Sequence, residues 1–197
     1  MAVSLSKGQK ISLSKEAGKE LTEVFMGLGW DTLTETKGGL FGFGARTVST
    51  PVDLDASCVM FDDAGNHLDS VWFRQLKSKD GSVIHTGDNR SGAGAGDDEQ
   101  IRVKLDRVPP AIKTLVFVVN CFSNVDFSKV KNAYCRLVDE TSQKEVEKFD
   151  LSCSGAHTAM ILAKVYRHEG DWKMHAIGDT AEGRTTDKIL PAIKAIL

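Results

Sequence analysis

The chain has 197 residues, 41% of them apolar and 26% charged, with a formal net charge of −2. That balance suits one soluble domain spanning 1–197 with a core of its own, and the lack of a basic tract argues against nucleic acid. Apolar runs such as LVFVV at 115–119 are too short to cross a bilayer, and MAVSLSKGQK lacks the apolar stretch of a secretory signal, so a cytoplasmic location is expected.

In chain order, VSLSK at 3–7 and ISLSK at 11–15 form a near repeat around Gly8, which predicts an N-terminal hairpin. Strand signals follow at 22–27, 54–61, 68–76, 101–105, 115–122, 133–139, 144–151, 159–167 and 172–176, in addition to 3–6 and 10–13. IRVKL at 101–105 is typical: Ile101, Val103 and Leu105 share one face, Arg102 and Lys104 the other. The run GGLFGFGAR at 38–46 predicts a glycine-rich loop between strands. Turn chemistry separates the runs at Ala64-Gly65-Asn66, Asp80-Gly81, Val108-Pro109-Pro110 and Glu169-Gly170-Asp171. A polar helical turn is expected at 125–130. From Thr185, TTDKILPAIKAIL spaces Ile189, Ile193 and Ile196 or Leu197 as a helix, with Pro191 expected near its first turn. The fold class is all-β: an antiparallel β-sandwich with a short C-terminal helix, since alternating faces do not suit a doubly wound parallel sheet.

The negative charge is concentrated in two places. Residues 53–63, DLDASCVMFDD, carry −4, and residues 87–99, GDNRSGAGAGDDE, carry −3, so the rest of the chain sums to +5. Four carboxylates in the second segment repel one another unless something neutralises them. Gly92, Gly94 and Gly96 let the backbone turn carbonyls and acids toward one point. Dense hard oxygen donors on a flexible loop are what Ca²⁺ needs, because it takes six to eight oxygens. Asp53 and Asp55 share a strand face and can join that loop at a common ion. Asp62 and Asp63 lie before Ala64-Gly65-Asn66 and read as turn initiators. Trp30, in GLGWD at 27–31, reads either as an anchor for the loop or as ordinary core.

Other chemistries fit less well. GAGAGDD lacks the Lys-Ser/Thr of a phosphate loop, and its acids would repel a pyrophosphate. Asp88 and Glu99 have the spacing of the outer ligands of an EF-hand, but Arg90, Gly92 and Ala93 break the inner pattern and the flanks read as strands. One glycine–aspartate stretch cannot build a β-roll. Cys58, Cys121, Cys135 and Cys153 show no CxxC pair and read as buried thiols in strands. His85 is the best acid–base candidate, yet no nucleophile or phosphate-holding cluster accompanies it. A non-enzymatic protein with no small-molecule substrate is expected.

The segments GLGWD, DLDAS at 53–57 and DGSVIHTGDNRSGAGAGDDEQI at 80–101 resemble the TerD family of bacterial stress and tellurite-resistance proteins. The resemblance runs from VSLSKGQ to YRHEGDWKMHAIG at 166–178, and LDASCVMFDDAGNHLDSVWFRQLKS and NAYCRLVDE look most like its TerZ branch. It implies a β-sandwich binding two Ca²⁺ ions through the acidic segments. The implied ligands are Asp53, Asp55, Asp88, Asn89, Asp97, Asp98 and Glu99, with backbone oxygens from Gly87, Gly94 and Gly96. Ala95 stands where relatives often place an acid, and the 38–46 run is an insertion. The resemblance further implies a calcium-responsive adaptor in a cytoplasmic assembly of tellurium-resistance proteins, one of them membrane-embedded, with links to phage and colicin resistance. The alternative is a Ca²⁺-dependent lipid-binding module that inserts Leu40, Phe41 and Phe43 of the 38–46 loop.

Overall fold

The computed structural model describes residues 7–18, 20–31, 33–37, 46–92, 96–123, 125–151 and 155–197. The proposed hairpin arm at 3–6, Gly94, Ala95, Cys153 and residues 38–45 lie outside them, and with 38–45 the loop on which the lipid reading rests.

The alternating segments form β1 (Lys10–Ser12), β2 (Glu23–Asp31), β3 (Leu33–Lys37), β4 (Arg46–Thr50), β5 (Leu54–Phe61), β6 (His67–Val71) and β7 (Val83–His85). They continue as β8 (Glu99–Lys104), β9 (Thr114–Cys121), β10 (Lys131–Asp139), β11 (Lys144–Asp150), β12 (Ala159–His168) and β13 (Asp171–Ala181). One sheet has the order β1-β13-β12-β9-β5-β6, the other β11-β10-β2-β8-β7, and β3 pairs with β4. The pairings are antiparallel. Two sheets face to face bury one side chain in two from each strand, as the alternation requires.

β5 is apolar on both faces for a reason. Leu54, Ala56, Cys58 and Met60 enter the core between the sheets. Val59 and Phe61 enter a second cluster with Val116, Val118, Ile161 and Ile177, covered by Ile189 and Ile193 of α2 (Thr186–Lys194). The C-terminal helix thus packs on the outer face of the six-stranded sheet. No helix among the described residues is long and apolar enough to cross a membrane.

Several local expectations change. Pro191 is the sixth residue of α2 rather than a first-turn residue, so the Asp187 carbonyl receives no helical N–H. Residues 13–17 form a short helix, α1 (Leu13–Ala17), capped by the Ser12 side chain and by Gly18 at φ 69°. β1 takes β13 as its partner, with Ile11 opposite Met174. The run at 68–76 stops at Val71, because Trp72 and Gln75 bond each other's backbones and close a turn. The turn at Asp62 forms as read: its Oδ1 accepts from the Ala64 and Asn66 N–H groups. The polar stretch at 125–130 contains a 3-10 turn at Phe127–Lys129.

Candidate metal centre

β6 ends early, and this creates the site. Its last pairing is Cys58 with Val71, so β5 extends past it and the Ala56 N–H has no strand partner. Glu99, the first residue of β8 in the opposite sheet, reaches across and accepts that N–H on Oε2 at 2.8 Å. Its Oε1 accepts from the Asn89 N–H at 3.0 Å. Glu99 is fully buried and ties the 87–99 loop to the overhanging end of β5.

The two acidic segments therefore meet. Asp53, Asp55 and Asp88 each place a carboxylate oxygen within 4.8 Å of the other two. Asp55 Oδ2 and Asp53 Oδ1 are buried with no hydrogen-bond partner. Burial, with Glu99, Asp53 and Asp88 adding repulsion, pushes the Asp55 carboxyl up to about 8. Burial and then the Asp88 charge also raise the Asp53 carboxyl. Partnerless buried carboxylate oxygens are uncommon and costly. A divalent cation would supply the missing partner, so these three residues fit a hard, oxygen-ligated metal.

The remaining predicted ligands hold the loop. Asn89 Oδ1 accepts from the N–H groups of Ser91 and Gly92 at 3.1 and 3.2 Å. Asp98 Oδ2 accepts the Trp30 N–H at 3.0 Å, and its Oδ1 accepts from Asn89 Nδ2 at 2.7 Å. Gly87 and Gly96 adopt φ values of 130° and 91°, which favour glycine. Trp30 is both core and anchor: it is buried, its Nε1 donates to the Val52 carbonyl at 2.7 Å, and the loop rests on it at Gly92.

The structure does not bring Asp97 to the cluster. Its carboxylate lies against the outer face of β2 and β10. There it accepts from Arg136 Nε and Nη2 at 2.8 and 2.9 Å, from Gln100 Nε2 at 2.9 Å and from Tyr134 Oη at 3.1 Å. Burial alone would raise this carboxyl; the Arg136 and Gln100 bonds outweigh it and leave it below the usual carboxylate range. The glycines of GLGWD make room for this arrangement. A Cβ on Gly27 would stand 2.8 Å from Asp97 Oδ1, and one on Gly29 would stand 2.6 Å from the Tyr134 ring. Sequence reasoning missed Arg136 and Tyr134, which lie in an unremarkable alternating strand; only the two glycines signalled a close approach.

His85 is buried beside the cluster. Its Nδ1 accepts the Gly87 N–H at 3.0 Å, and its Nε2 faces Glu99 Oε2 at 3.4 Å. Cys58, Cys121 and Cys135 are buried thiols in strands.

Comparison with known proteins agrees with this architecture. The TerD domain family matches residues 1–187. The tellurium resistance protein TerZ of Serratia marcescens is 43% identical over 187 residues, which span 94% of this chain and 93% of that protein. The stress response protein SCP2 of Bacillus subtilis (strain 168) is 41% identical over 199 residues, spanning 96% of this chain and 98% of that protein. A crystal structure of a homologue of the telluride resistance protein TerD from Streptomyces coelicolor A3(2) superposes with a TM-score of 0.71 at 20% identity. That superposition covers 88% of this chain and 98% of that one. A family match over residues 1–187, with relatives above 40% identical over nearly their whole length, makes this chain a member of the TerD family.

Proposed function

We propose that this protein is a non-catalytic, calcium-binding member of a bacterial stress-response system, in which Ca²⁺ held by Asp53, Asp55 and Asp88 fixes the 87–99 loop. The observation that carries the reading is the pair of buried, partnerless oxygens, Asp53 Oδ1 and Asp55 Oδ2, facing Asp88. Three carboxylates in an irregular arrangement suit Ca²⁺, which tolerates such geometry, better than Mg²⁺, which demands an octahedron. The cluster of Asp53, Asp55 and Asp88 accounts for one of the two ions that the family resemblance implies. Among the described residues no other group of three acids or histidines is close enough for a second, and both Asp97 and Asp98 already accept hydrogen bonds through each oxygen.

The surroundings of His85 support the non-catalytic reading. The imidazole is buried, with Nδ1 taken by the Gly87 N–H and Nε2 turned to Glu99 Oε2 at 3.4 Å. With an ion bound, the loop is fixed and the repulsion within the cluster is relieved. That change suits an adaptor in a cytoplasmic assembly of tellurium-resistance proteins that includes a membrane-embedded partner.

Calorimetric titration of metal-free protein with Ca²⁺ and then Mg²⁺ tests the reading. The expected result is stoichiometric Ca²⁺ binding, weaker Mg²⁺ binding, and loss of both in Asp55→Asn. No heat and no rise in Tm across a millimolar Ca²⁺ titration would overturn it.

A further inference from the structure

The outer face of the six-stranded sheet carries a row of three basic residues. Lys10 on β1 stands opposite His175 on β13, and His175 stands opposite Lys164 on β12. The alternate residues of these strands, Ile11, Met174 and Val165, enter the core, so the three basic groups share the outward face. Lys10 and Lys164 flank His175 from either side, so two like charges lie close on one sheet face.

Beside this row is a depression of about 270 Å³, lined by Lys10, Lys113, Thr114, Lys164, Tyr166 and Arg167. Lys10 and Lys113 have no ion-pair or side-chain hydrogen-bond partner among the described residues. Lys164 Nζ donates to the Ile196 carbonyl at 2.6 Å and lies 5.8 Å from the centre of the Tyr166 ring. Arg167 is pinned by the Val108 and Ile112 carbonyls at 2.7 and 3.3 Å and stacks on Trp172, so it is fixed in place but paired to no acid. Asp62, Asp63 and Leu197 also line the depression. Asp62 spends both oxygens on its own turn, and Asp63 is exposed. His175 reports the local field. Burial, and then Lys10 and Lys164, push its imidazole below the usual range, with Asp179 the opposing charge.

We propose that this depression is a binding site for a phosphate-class oxyanion, either free phosphate or the phosphate of a mononucleotide-sized monoester. Four cations, Lys10, Lys113, Lys164 and Arg167, line it against the two acids Asp62 and Asp63, and Tyr166 and Thr114 are the hydroxyl-bearing residues of the lining. An anion there relieves the repulsion along the row. The site is separate from the metal centre: Asp55 lies near the start of β5 and Asp62 just past its end, about 23 Å apart along an extended strand.

The test is calorimetry and thermal shift on calcium-free protein with inorganic phosphate and with adenosine monophosphate, against chloride at matched ionic strength. Wild type and Asp55→Asn are expected to respond alike, which separates this site from the metal reading. Lys10→Gln and Lys113→Gln are expected each to weaken binding about tenfold, the effect of losing one charge-assisted contact. In chloride alone, Lys10→Gln is expected to raise Tm, a sign that general damage to the fold does not produce. Tighter binding of the monoester than of phosphate identifies an organic ligand, and the reverse identifies free phosphate. Absence of binding by either anion beyond the chloride control, or unchanged binding in both lysine variants, would overturn the proposal.

Discussion

Glu99 Oε2 and the Ala56 N–H are 2.8 Å apart, and that bond joins the two sheets where β5 outruns β6. A carboxylate so placed satisfies two backbone donors, Ala56 N and Asn89 N, and it also supplies the repulsion that raises Asp55. The residue is thus a strut for the loop and a source of the cluster's demand for a cation.

Glu99→Gln keeps the shape but replaces one acceptor oxygen with an N–H₂ group. That group then meets a backbone N–H in a buried space. Leaving such a donor unmatched costs about 1–3 kcal/mol. Urea denaturation of the metal-free protein is the measurement, and a change below about 0.5 kcal/mol would contradict the strut role.

Asp97 and Arg136 form the second strut. Asp97 has a side chain only 1% exposed, so removing the guanidinium leaves a nearly buried charge. Arg136→Gln is expected to lower stability by about 3 kcal/mol. Asp97→Asn is expected to lower it as well while the number of bound Ca²⁺ ions stays the same. If Asp97→Asn instead removes an ion without changing stability, the residue is a ligand and the geometry described for it is not the functional one.

Much of this was legible in the residues. The alternation of IRVKL and WKMHA gave the antiparallel sheets, and the charge segregation gave the meeting of Asp53 and Asp55 with Asp88. The β3–β4 pair was not, because LTETK and RTVST flank a glycine run that reads as loop, and five-residue strands carry little period. Nor could the sequence divide the labour among Asp97, Asp98 and Glu99. Three adjacent acids share one composition; which of them meets Arg136, Trp30 or Ala56 depends on contacts between strands far apart in the chain.

Gly92 is the point where the loop lies on Trp30. Its φ is 63°, and an added Cβ would stand 2.8 Å from the Trp30 carbonyl oxygen. Gly92→Ala therefore meets both a left-handed backbone, worth about 1–2 kcal/mol, and a collision with backbone that cannot yield. The expected outcome is faster amide exchange at Asn89, Ser91 and Asp98 with the sheet core unchanged, read by hydrogen-exchange mass spectrometry. Unchanged protection in that segment would show that the Trp30 contact does not hold the loop.

The Asp55 contribution to the stability of the metal-free protein, read as the difference between wild type and Asp55→Asn, should fall as pH rises, and calcium should remove that fall. Burial, then Glu99, Asp53 and Asp88, hold the Asp55 carboxyl at about 8, whereas an unfolded aspartate titrates near about 4. Between those values the folded state keeps a proton that the unfolded chain has released, so the slope of that contribution against pH is negative from about 4 to about 8. A cation at the cluster favours the ionised form, so binding at pH 7 expels about one proton. Affinity for Ca²⁺ should rise with pH and level off above about 8. Titration in two buffers of different ionisation enthalpy reads the proton directly, because the observed heats differ by that proton's buffer enthalpy. Equal heats in the two buffers would mean that Asp55 is already ionised before the metal arrives, and the electrostatic account of the site would fail.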